Sequence, residues 1–185
     1  MKAITIWQPW ASMLACGAKQ YETRSWATKY RGPIAIHAAA LKIPGVLKKC
    51  FPMSEWAYHP DHDAKKMFLD NLAKAFEDYA PIGDIMEYLD ELPTGAVVAT
   101  AELVNVWHIV YHPGLDVDKA KRIDVGAESL TENKHDPHFG DYFVPTEKEI
   151  ALGDWTPGRY AWEFSNMKII TPVPVKGRQG LWEWR

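Results

Sequence analysis

The sequence predicts a mixed α+β fold, a small and mostly antiparallel β-barrel with a short N-terminal helix and a helical insertion to one side. Three observations predict it. Short strands with little helix between them open and close the chain, the strongest strand signal lies in its middle at Gly95 to Val110, and helical periodicity, apart from one short N-terminal helix, falls within residues 45–92. With 185 residues, 47% of them hydrophobic and 24% charged, the chain can enclose one substantial core. One domain over residues 1–185 is expected, with insertions at about 45–92 and 111–150.

Lys2 to Ile6, KAITI, is short and rich in β-branched residues, and reads as a strand. Pro9 then suits the first turn of a helix that sets Trp10, Met13, Leu14 and Gly17 on one face, with Gly17 placed to end it. From Gln20 to Trp26 the composition returns to strand, which places Glu22, Arg24 and Trp26 on one face and Tyr21, Thr23 and Ser25 on the other. Arg31 to Ala39 begins with a Gly-Pro turn and continues as an apolar strand. Met67, Leu69, Leu72, Ala75, Phe76 and Tyr79 recur at helical spacing among Asp and Lys, and a second helical stretch, Ile82 to Leu89, stops at Pro93. Residues 111–150, rich in Gly, Pro, Asp and His, are expected to form a long loop with short pieces of structure. Arg159 to Ile170 reads as a long strand, and the chain closes with a turn about Lys176 to Gly180 and a short strand.

Composition narrows the function. No run approaches the roughly 18 apolar residues that span a bilayer, and the opening MKAITIWQPW lacks the apolar block of a secretion signal, so a cytoplasmic protein with no membrane partner is expected. Cys16 and Cys50 are the only cysteines, too few for a disulfide framework. The net charge of −3 argues against a generic polyanion binder, but the charge is uneven. Of 21 bases and 24 acids, the segment from His59 to Leu92 takes three and nine, leaving a mildly basic remainder of 18 against 15. The acidic insertion has no identifiable protein partner.

Two stretches gather groups suited to a ligand. In GAKQYETRSW, Lys19, Glu22 and Arg24 fall within six residues and Trp26 follows. A Glu and an Arg two apart on a strand pair readily with each other, yet a cation pair also suits a phosphate, a carboxylate accepts from base N–H groups, and an indole stacks on a nucleobase. In KGRQGLW, Lys176, Gln179 and Trp182 repeat the theme, with two glycines that allow close backbone approach. A plain turn closing the barrel accounts for the same residues. His37 in the apolar AIHAA strand reads as a core histidine. The pairs His59/His62, His108/His112 and His135/His138 match no zinc spacing, and no metal or other cofactor is expected. No nucleophile elbow, phosphate-cradling loop or dinucleotide fingerprint is present, so Ser12 and Ser25 are nucleophiles only if a base comes near.

Gly17 to Arg24 resembles the GxKxxExR signature of the ASCH domain, a PUA-like β-barrel. The WQPWA opening, SWATKYRGPIAIHAA, GRYAWEF and PVPVKGRQGLW are similar to the larger bacterial and phage members, so the likeness covers residues 3–40 and 153–184. The resemblance implies a cleft beside the first helix, lined by Lys19, Glu22 and Arg24 and suited to RNA or a modified nucleoside. Relatives include nucleic-acid binders, a deacylase type acting on N4-acetylcytidine and a proposed nuclease type. The deacylase type carries a threonine where this chain has Glu22.

The reading that follows is a binding protein for single-stranded RNA or a modified nucleoside, with phosphate or ribose on Lys19 and Arg24, a base edge on Glu22, and stacking from Trp7, Trp10, Trp26 or Trp182. The alternative is a hydrolase of an acylated nucleobase, or a ribonuclease. In it Lys19, its pKa lowered by Arg24 nearby, and Glu22 are the catalytic residues.

Overall fold

The structure is a computed structural model that describes residues 1–50, 62–77, 85–111, 125–129 and 142–185. Its elements in chain order are β1 (Lys2–Ile6), α1 (Trp10–Cys16), β2 (Tyr21–Arg24), β3 (Gly32–Ala38), α2 (Ile43–Cys50), α3 (His62–Glu77), α4 (Ile85–Glu91), β4 (Ala96–Tyr111), β5 (Val125–Ser129), β6 (Tyr142–Phe143), α5 (Glu147–Ala151), β7 (Tyr160–Pro174) and β8 (Leu181–Glu183). The architecture is the mixed α+β, mostly antiparallel one that the sequence predicts. The expected helix end at Tyr79, the start at Ile82, and His59, His112, His135 and His138 lie outside the described residues.

The chain forms two compact units. The first contains Met1–Lys19, Pro33–Glu102 and Asn166–Arg185. Its strands follow the order β7-β4-β3-β1-β8. β1 pairs antiparallel with β8 but parallel with β3, Ile4 opposite Ile36 and Thr5 opposite His37. This parallel pair is an exception within a mostly antiparallel sheet. The 25 residues between β1 and β3 are long enough for the crossover that parallel neighbours require. Ala3, Ala35, Val97 and Trp182 close one cluster of its core. α1 ends as its sequence predicts: Gly17 adopts the left-handed φ of 84° and its N–H bonds to the Leu14 carbonyl.

One detail of this unit concerns the far end of β7. The Val175 N–H donates to the Gly95 carbonyl at 3.0 Å, so it faces β4. Backbone N–H groups alternate sides along a strand, which directs positions 172 and 174 away from β4. Both are proline and carry no N–H.

The second unit contains Gln20–Gly32 and Leu103–Ser165, with strand order β2-β7-β4-β5-β6. β2 lies antiparallel to β7, Glu22 opposite Trp162 and Arg24 opposite Tyr160. Trp107, Ile109, Trp155 and Ala161 make a core cluster against which Tyr21, Phe143 and Ile150 pack. The residues beyond 111, read from sequence as a long loop with short pieces of structure, supply the short elements β5, β6 and α5.

Candidate functional site

In the first unit, α1 positions the residues on either side of it. Gln8 is fully buried, its amide donating to Ser12 Oγ (2.8 Å) and the Pro93 carbonyl (2.7 Å) and accepting from the Ser12 N–H (3.1 Å). Ser12 Oγ is thus part of the turn into the helix. Trp7, just before Gln8, is 39% exposed. Trp10, on the first turn, packs against Phe68 of α3 with ring centroids 5.7 Å apart. Past the helix, the Lys19 N–H bonds to the Met13 carbonyl at 3.1 Å, and Lys19 is only 3% exposed. A side chain ending in an ammonium is rarely buried so far without a compensating partner.

The C-terminal residues occupy the same unit. Trp182 is buried, donates its indole N–H to Thr5 Oγ1 at 3.2 Å and meets the His37 ring edge to face, 5.7 Å between centroids. Lys176 and Gln179 stand exposed in the turn before it. The close backbone approach that glycine permits in this turn is made inward. A Cβ on Gly177 would lie 2.4 Å from His37 Cε1 and 2.9 Å from Thr5 Oγ1. His37 is a core histidine, 1% exposed, with Nε2 2.9 Å from the Val175 carbonyl. A carbonyl only accepts, so that nitrogen carries a proton.

In the second unit, β2 places Glu22 and Arg24 side by side on one face. Arg24 Nε lies 3.4 Å from Glu22 Oε1, with 24% and 12% of the two side chains exposed. Trp26, just past the strand, meets Trp162 edge to face at 4.6 Å, and its carbonyl accepts the Trp162 indole N–H at 3.2 Å. Because Trp162 is fully buried opposite Glu22, it braces Trp26 on the side of the ion pair. The other face of β2 is the anchor. Tyr21 stacks on Phe143 at 4.9 Å, and burial first, then the Glu163 and Glu149 carboxylates, push its phenol well above the ordinary range. Thr23 Oγ1 accepts from the Asp154 N–H and the Thr23 carbonyl from Arg159.

Sequence reasoning missed two residues that position this strand. Trp162 is one; its place in GRYAWEF, two residues from either aromatic neighbour on its face, was the available signal. Glu149 is the other. Thr146 caps α5 by accepting from the Glu149 N–H, and Thr-x-x-Glu is the sequence of a capping box. Here the glutamate side chain reaches outside its own helix: buried to 7% exposure, it accepts the Gln20 N–H at 2.7 Å and so holds the start of β2. Among the described residues, no three His, Cys, Asp or Glu side chains gather as a metal site would require.

The family model for the ASCH domain matches residues 4–174, from β1 to the end of β7. The chain belongs to the ASCH domain family. ASCH domains are PUA-like, and membership suggests binding of RNA or another nucleic acid. The match runs through residues 45–92 and 111–150, so both segments fall inside the span of the family model rather than beyond it. No curated protein matches the chain. Among the described residues, no helix of this ASCH protein is long and apolar enough to cross a membrane.

Proposed function

We propose that this ASCH protein binds single-stranded RNA or a modified nucleoside through Glu22 and Arg24. The observation that carries the proposal is the ion pair of Glu22 and Arg24, held half-buried beside a braced indole on a strand whose opposite face is locked into core. A guanidinium offers several N–H donors in one plane, which suits phosphate oxygens and base carbonyls. A carboxylate beside it accepts the N–H groups of a base edge. Partial burial matters because such bonds strengthen out of water and are screened at the open surface. The family supports the ligand class, since ASCH domains are associated with nucleic acid. The nucleic-acid reading needs only that these groups meet a ligand, with no proton transfer timed between them.

Arg24→Ala tests it. Loss of a charge-assisted contact is expected to raise Kd for the RNA or nucleoside by about tenfold or more, while Tm stays within a few degrees. Titration of both proteins against a panel of modified nucleosides and short oligonucleotides reads the effect. A Kd unchanged by the substitution overturns the proposal. Release of acetate from N4-acetylcytidine, abolished in Lys19→Ala, would replace it with the hydrolase reading.

A further inference from the structure

Of the four indoles that the sequence offers as stacking surfaces, three are wholly or partly buried. Trp10 lies against Phe68, Trp26 is braced by Trp162, and Trp182 is buried with its N–H on Thr5. Trp7 differs. At 39% it is the most exposed aromatic among the described large hydrophobic residues, and the burial of Ile6 and Gln8 on either side turns it outward. Lys49, near the end of α2, holds its Nζ 5.1 Å from the centre of the Trp7 ring. Lys49 is itself exposed. The surrounding sequence is basic: residues 23–54 contain six Lys and Arg and not one Asp or Glu.

We propose that Trp7 and Lys49 form a subsite for a further nucleotide of a single-stranded chain, the base stacked on the indole and the backbone phosphate on the ammonium. The inference rests on the nucleic-acid reading above and adds a contact that a free nucleoside does not need. Stacking on an indole tolerates any base, because every base has a π-face, and the neighbouring cation supplies the complementary charge. RNA and DNA share this chemistry, so strands of both kinds are the probes.

Fluorescence anisotropy of the full chain with a labelled hexaribonucleotide, its deoxy counterpart and a competing free nucleoside tests the subsite. Trp7→Ala is expected to weaken hexanucleotide binding at least about fivefold while nucleoside affinity is retained. Lys49→Ala should reduce the slope of log affinity against log salt by about 0.7, the share of one phosphate on a single strand. Trp7→Phe keeps a stacking face and should retain most of the affinity. A loss on both strands identifies the contact as base and phosphate, and a loss on RNA alone places the subsite on a ribonucleotide chain. Unchanged hexanucleotide affinity in Trp7→Ala and an unchanged salt slope in Lys49→Ala overturn the proposal, as does an equal loss for nucleoside and hexanucleotide in Trp7→Ala. A wild-type chain that binds nucleoside but no hexanucleotide overturns the subsite and leaves the reading of Glu22 and Arg24 intact. Binding of neither probe overturns both.

Discussion

Single atoms decide the environment of Gly177. Its position tolerates no side chain, because a Cβ would press on His37 at 2.4 Å and on Thr5 at 2.9 Å, and both belong to paired strands that cannot withdraw freely. Gly177→Ala is therefore expected to cost about 1–3 kcal/mol through overpacking, lowering Tm by about 2–10 °C in a thermal melt. Sequence could show two glycines in a turn but not which neighbour the backbone approaches, since Thr5 and His37 lie 172 and 140 positions away. Tyr21 carries a second residue-scale consequence. Its folded-state pKa is raised by burial and two carboxylates, so the neutral phenol is the form the fold favours. A raised value means that the folded chain holds its proton where the unfolded chain has released it. The stabilisation is complete below about pH 10, the ordinary phenol value, and is lost as the pH rises above it. Denaturant titrations from pH 9 to 11 should show the wild type losing stability faster than Tyr21→Phe; parallel curves would refute the assignment.

Elements were legible in the sequence where local chemistry and tertiary packing agree. Lys2–Ile6 is the predicted strand to the residue, and α1 runs from its proline to its glycine because Met13 and Leu14 face the core and Gly17 reaches the left-handed turn. The strand read as Gln20 to Trp26 is shorter, Tyr21 to Arg24, since it pairs with β7 only over those four residues. The ion pair of Glu22 and Arg24 follows from two-residue alternation and was visible at once. The hold of Glu149 on Gln20 was not, because it joins positions 129 apart and the glutamate sits in a segment without strong periodicity. That hold ties α5 to the start of β2. Glu149→Ala is expected to lower unfolding free energy by about 1–2 kcal/mol, and Glu149→Gln, which keeps an acceptor oxygen, by less. Equal losses in the two variants, measured by chemical denaturation, would show that the carbonyl alone does not suffice.

At the scale of the whole molecule, charge and family membership speak together. The net charge of −3 is opposed to phosphate binding on average, so a nucleic-acid contact of the proposed kind draws on a local cluster of bases rather than on the whole surface. Such placement is open to sequence inspection only as a count; which bases share a face needs the fold. The two prolines at the far end of β7 act at the same scale. Pro172 and Pro174 leave the side of the strand away from β4 without donors, next to the exposed Val173. An extended segment of a neighbouring molecule that approached this edge would find no N–H donors at these two positions, which is one way natural sheets discourage aggregation. Exchanging both for threonine should leave the chain folded yet make its sedimentation depend more steeply on protein concentration than that of the wild type, and a variant that sediments like the wild type at high concentration would show that the edge is guarded by other means.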